Sequence, residues 1–151
     1  MTKQRNTVLD RQVALMLCAA VVFSAVRLLA QDAAVVARDA WIRLPLPSKS
    51  ETALYVVLEN HSAERRAVVS ASSDAAAKVE MHEMKMDRAS MRMTQVSEIG
   101  IKANGKTSLS ENGLHLMLYG LKTRPAVGDT LAVTLKLDNG STVQVKAVVR
   151  K

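Results

Sequence analysis

The chain has 151 residues, 48% hydrophobic and 23% charged, which suits one compact globular domain. Its formal net charge is +7, but four Lys/Arg and one Asp lie in residues 1–30, and without that segment the charge falls to +4. A mildly basic surface whose remaining aromatics are Trp41, Tyr55 and Tyr119 offers neither the charge density nor the stacking platform that nucleic-acid binding needs.

The N-terminus reads as an export signal. Lys3, Arg5 and Arg11 make a basic start, and Val13 to Val26 carries no charge. A membrane-spanning helix needs about 20 apolar residues, so this run is too short and fits the apolar region of a secretory signal peptide. Small residues at Ala30, Ala33 and Ala34 place cleavage near 30–34, although Arg27 close by leaves an uncleaved N-terminal anchor as the alternative. Leu15-Met16-Leu17-Cys18 partly resembles a lipoprotein site, but Leu17 is a poor residue ahead of the cysteine and that reading is set aside. The expected division is a signal segment at 1–30, a functional domain at 31–151 and a periplasmic location, with no membrane span after cleavage. Cys18 is the single cysteine and leaves with the signal. The mature chain then has no disulfide, no redox thiol and no thiolate for a metal.

The rest of the chain reads as short strands separated by turns. Arg38 to Leu44 is the first, broken by Pro45 and Pro47. Thr52 to Asn60 is rich in β-formers, and Ala67 to Ser72 and Lys78 to Met84 continue the pattern. Met91, Met93 and Gln95 alternate with Arg92, Thr94 and Val96. Asn104-Gly105 and Asn112-Gly113 are turn signals. In Leu114 to Leu118 the leucines point one way and His115 and Met117 the other. Leu131 to Leu137 alternates, Asp138-Asn139-Gly140 turns the chain, and Thr142 to Val149 returns as a hairpin. No segment after the signal shows a helical period. The expected architecture is all-β, a Greek-key sandwich or barrel.

One stretch stands out chemically. Residues 81–93, MHEMKMDRASMRM, hold five of the eight methionines and one of the three histidines. His115 and Met117 share a face of one strand. His82 and Met93 flank a reversal at Lys85 to Ser90 that brings them together. The set His82, Met93, His115 and Met117 offers two imidazoles and two thioethers. Thioethers are soft and uncharged and select Cu(I), whereas Zn²⁺ takes Cys, His or carboxylate and Ca²⁺ and Mg²⁺ take oxygen. A blue-copper electron-transfer site needs a thiolate, which the mature chain lacks.

The spacing His82, ten residues, Met93, twenty-one residues, His115, one residue, Met117 matches the H-x10-M-x21-H-x-M signature of the PCu(A)C periplasmic copper chaperones. Asp39-Ala40-Trp41 resembles that family's opening strand, and Thr52-Ala53-Leu54-Tyr55, ending at Asn60, its second. Val79 to Met84 and Gly113 to Leu118 resemble its two ligand segments, and Gly120-Leu121-Lys122 with Gly128-Asp129 the loop after the site. The resemblance covers most of the mature chain and implies a cupredoxin-like fold. It further implies one Cu(I) held outside the cytoplasm and delivered to copper centres of respiratory cytochrome oxidase. The recipient would be a copper-accepting oxidase subunit or a Sco-type thiol protein, with the chaperone acting as a monomer and not as an enzyme. Some relatives carry a His- and Met-rich tail; with Lys151 as the last residue given, a second, tail-borne metal site is not expected.

Other residues take plainer readings. Met81, Met84 and Met91 are expected in the core, with Met84 near enough to His82 to serve as an alternative sulfur. Met86 falls in the reversal, exposed or packed, and could also substitute as a ligand. His61 is expected in solvent, Trp41 as a packing residue, and Glu83 as an exposed carboxylate rather than a partner orienting an imidazole. Copper storage or resistance, or cupredoxin-like binding not dedicated to oxidase assembly, is the alternative function. An electron-transfer cupredoxin, a copper enzyme and a plain adhesive sandwich are the remaining competitors.

Overall fold

The computed structural model describes residues 34–87 and 90–151. The signal or anchor expected at 1–30 lies outside the described residues. Among those described, all regular structure is strand, and no helix is long and apolar enough to cross a membrane.

Ten strands follow in chain order: β1 (Val35–Arg43), β2 (Thr52–Asn60), β3 (Arg66–Ser72), β4 (Ala76–Asp87), β5 (Ser90–Gln95), β6 (Ile99–Ile101), β7 (Gly105–Ser108), β8 (Leu114–Leu121), β9 (Thr130–Leu137) and β10 (Thr142–Arg150). They hydrogen-bond in the order β5-β4-β8-β2-β1-β10-β9-β3-β6, with β7 on β2. Strand β1 runs parallel to β10, and the other pairs are antiparallel. This is the cupredoxin-like Greek-key arrangement that the resemblance implied.

Alternation builds the core. Strand β10 shows it cleanly, with Val143, Val145, Ala147 and Val149 buried and the residues between them exposed. Leu54, Val56 and Leu58 of β2, Leu116 and Leu118 of β8, and Val133, Leu135 and Leu137 of β9 meet these in one apolar cluster. Each such side chain contributes about 1.5–3 kcal/mol by burial, so aliphatic residues suffice without aromatics inside.

One irregularity directs an aromatic side chain outward. The β1–β2 register slips between Arg38 and Trp41, and Asp39 adopts a positive φ of 52°. The extra residue inverts the side-chain parity of β1. Ala37 lies opposite Leu58 on the inner face, and after the bulge Ile42 lies opposite Leu54 there. Trp41 therefore falls opposite Tyr55 on the outer face.

Several expected boundaries shift. Strand β4 continues to Asp87 and pairs with β5 as far as Asp87↔Ser90, so the reversal is much tighter than Lys85 to Ser90. The sequence pattern marks the strand only through Met84, and the cross-strand partners that carry the ribbon further are non-local. Strands β6 and β7 were not anticipated, because three- and four-residue strands leave too short a period to see. Asn104, at a φ of 46°, makes the turn between them.

Candidate metal centre

The site lies on the outer face of β5, β4, β8 and β2. Side chains two apart on a strand share a face, so 80, 82, 84 and 86 of β4 align with 115, 117 and 119 of β8, with Gly113 just before it, and with 91, 93 and 95 of β5. Register fixes the neighbours. His82 lies opposite His115, Glu80 opposite Met117, and Met84 between Gly113 and Met93. Across β2, Met117 lies opposite Ala53.

His115 is buried although it faces outward. Its ring centroid lies 6.4 Å from that of Tyr55, which packs at 4.5 Å on Trp41. His82 lies 5.9 Å from His115 and 6.3 Å from Tyr119. Aromatic rings thus wall the two imidazoles from solvent. Burial pushes both tyrosine phenols above their usual range. They are neutral at physiological pH and offer no phenolate.

Hydrogen bonds assign the ring nitrogens. A carbonyl only accepts, so His115 Nδ1–H donates to Gly113 O at 3.0 Å and Nε2 carries the lone pair. That Nε2 faces the Met93 sulfur at 3.3 Å. Two lone pairs converge with no strong donor between them. For bonds of about 2.0 Å to nitrogen and 2.3 Å to sulfur, tetrahedral ligands sit about 3.5 Å apart, which the observed separation approaches. His82 Nε2–H donates to a Glu80 carboxylate oxygen at 3.0 Å. Its Nδ1 is then the lone-pair nitrogen, and it is buried with no hydrogen-bond partner. A buried orphan acceptor is costly, and an imidazole held by a carboxylate through its other nitrogen is the usual support of a metal ligand.

Met117 is half-buried and, with Met84 and His115, lines an open hollow of about 430 Å³. The rim of that hollow includes Arg43, paired with the Glu111 carboxylate, and the Pro45–Leu46 segment. Among the described residues no three His, Cys, Asp or Glu side chains gather to hold a metal. The further soft donors on this face are the sulfurs of Met84, Met93 and Met117.

The structure therefore seats all four sequence-predicted ligands on one face. It brings His115 and Met93 together and sets His82 beside His115, with Met117 one step along β8. Glu80 escaped the sequence reading. Glu80 and His82 share a strand face, but that Glu80 is the carboxylate the ring meets follows from the ring orientation, which only the fold sets. Glu83 lies on the opposite face with Lys85 at 3.0 Å, as alternation implied. The Lys78 ammonium, 2.8 Å away, is the first cause holding the Glu80 carboxyl below its usual range, and His82 is the second. His61 is exposed near Glu59, Trp41 is a half-buried packing residue, and Met81 is core, as expected. Met91 is not core: it is 43% exposed, on an edge strand whose six residues are all exposed. Met84 is half-buried on the site face rather than in the core, and Met86 is exposed.

Residues 35–149 match the family described as "LpqE-like: Putative lipoprotein LpqE-like". The curated protein "Putative lipoprotein Lxx21020" of Leifsonia xyli subsp. xyli is 30% identical over 112 residues, covering 74% of this chain. The chain spans 66% of that relative's length. Among solved structures, CuI-DR1885 from Deinococcus radiodurans is 35% identical, covers 81% of this chain and 82% of its own, and has a TM-score of 0.61. The copper-bound PCuAC domain from PmoF2 is 19% identical, covers 78% and 92% respectively, and has a TM-score of 0.66, which speaks to the fold.

Proposed function

This chain belongs to the LpqE-like family and is a PCuAC-type domain, and on that premise we propose that it is a copper chaperone of the cell envelope. It binds one Cu(I) through His82, Met93, His115 and Met117. The observation that carries this reading is the pair of uncommitted donors, His115 Nε2 at 3.3 Å from the Met93 sulfur, beside the orphan Nδ1 of buried His82. Two imidazoles and two thioethers leave the ion its full positive charge. They suit Cu(I) over Zn²⁺, and they cannot be locked into disulfides.

Holding and surrendering the ion follow from the site's construction. Glu80 and the Gly113 carbonyl fix the two ring orientations, and the aromatic wall keeps water from the imidazoles. Met93, 47% exposed, is the ligand a recipient can reach and displace. This is binding and transfer without catalysis. The recipient is a copper-accepting subunit of cytochrome oxidase or a Sco-type thiol protein, whose thiolates bind Cu(I) more strongly than thioethers. Copper storage or resistance uses the same site without a dedicated recipient. DR1885, a relative solved with Cu(I), supports Cu(I) as the ion in either case.

The lipoprotein names of the family and of its curated relative reopen Cys18. An exported chain acylated at Cys18 would be tethered to the membrane by lipid, with no free thiol. Intact mass of the membrane-fraction protein, with and without Cys18→Ser, separates a lipid anchor from simple cleavage near 30–34. For the site, an anaerobic Cu(I) titration against a chromophoric chelator should give one tight equivalent. No retained Cu(I) would return the domain to a plain β-sandwich.

A further inference from the structure

The β4–β5 hairpin carries more thioethers than the proposed site uses. Met84 lies opposite Met93, and Met86 opposite Met91. All four share the face that carries His82. The Val96 N–H donates to Met81 O, which identifies 81 and 96 as a hydrogen-bonded pair. Alternation then makes 84/93 and 86/91 non-hydrogen-bonded pairs, the type in which facing side chains stand closest, with Cβ atoms about 4.5–5.5 Å apart. The opposite face is different in kind. There Glu83 pairs with Lys85 at 3.0 Å and Arg92 with Asp87 at 3.5 Å. One face of the ribbon is therefore ionic and the other is sulfur.

Packing does not account for the sulfur face. Met86 is 68% exposed, Met91 43% and Met93 47%. Methionine is usually buried, and strands favour β-branched residues such as Val, which fills this chain's other strands. A need for apolar surface alone would not select four thioethers in two adjacent rungs. Three sulfurs around an ion with bonds of about 2.3 Å lie about 4 Å apart. Unbranched side chains with three rotatable bonds can converge to that spacing from neighbouring rungs.

We propose that Met84, Met86 and Met91 form a second, weaker soft-metal site on the hairpin, a loading position for Cu(I) that adjoins the first through Met93. Met93 contacts His115 Nε2 on one side and faces Met84 on the other, so an ion can pass inward by exchanging one thioether at a time. The inference rests on the Cu(I) reading of the inner site but adds a stoichiometry that reading does not require.

Ag(I), a redox-inert soft ion, is the probe. The purified protein carries ¹³C-methyl methionine, and its signals are assigned by single Met→Leu variants. The first equivalent should shift Met93 and Met117, and the second should shift Met84, Met86 and Met91. The double variant Met86→Leu/Met91→Leu keeps the apolar face and removes the sulfur. It should retain the first equivalent and bind the second at least tenfold more weakly. Saturation of the wild type at one Ag(I), or an unaltered second equivalent in the double variant, overturns the proposal and leaves the inner site standing. Failure to bind any Ag(I) overturns both.

Discussion

Glu80 gives the sharpest prediction, because its role is visible only in the folded chain. Its carboxylate accepts a hydrogen bond from His82 Nε2–H at 3.0 Å, and His82 Nδ1 has no partner. Replacing Glu80 by Ala leaves both ring nitrogens unsupported. The proton can then settle on Nδ1 and block the ligand nitrogen, and the ring can rotate. Loss of a carboxylate that orients a ligand histidine typically weakens metal binding about 10–100-fold. Glu80→Gln keeps an acceptor oxygen at the same reach but not the charge, so it should fall between wild type and Glu80→Ala. Lys78→Ala removes the ammonium 2.8 Å from Glu80 but leaves the acceptor, so its effect should be smaller still. The assay is anaerobic competition for Cu(I) against a chromophoric chelator, with thermal melts to confirm the fold. If Glu80→Ala binds Cu(I) within twofold of wild type while folding normally, the carboxylate does not orient a ligand and the assignment of Nδ1 is wrong.

Met117→Leu keeps apolar volume and removes sulfur, so Cu(I) affinity should drop in the same competition while stability changes by less than about 1.5 kcal/mol. Cu(I) affinity should also fall as pH falls, because a protonated imidazole cannot ligate; a flat titration would argue against histidine ligation. Gly120 sits at a φ of 64°, and a Cβ there would stand 2.8 Å from that of Ala77. Gly120→Ala should therefore cost about 1–3 kcal/mol and lower Tm by several degrees in a calorimetric scan. Melts with and without dithiothreitol should superimpose, since residues 31–151 contain no cysteine.

The strands that were legible are those whose alternation runs long enough to count. Thr52–Asn60 was read to the residue, and the leucine face of β8 correctly set His115 and Met117 on the opposite side. The cupredoxin-like fold followed from family resemblance rather than from alternation, which gives strands but not their order. What escaped is non-local. The bulge at Asp39 places Trp41 beside Tyr55; Asp tolerates a positive φ better than most residues, but a single Asp within a strand pattern does not mark a bulge. The extent of the hairpin depends on pairing between β4 and β5, so Met91 was assigned to a core it does not enter. Glu80 was passed over because its importance lies in a hydrogen bond that only the His82 ring orientation reveals.

The central claim is that sulfur and imidazole share one ion. X-ray absorption at the copper edge of protein loaded with a single equivalent of Cu(I) measures that shell directly. The account predicts two nitrogen ligands at about 2.0 Å and two sulfur ligands at about 2.3 Å, with sulfur lost on Met93→Leu and on Met117→Leu. A shell of nitrogen and oxygen alone, unchanged in both variants, would contradict it.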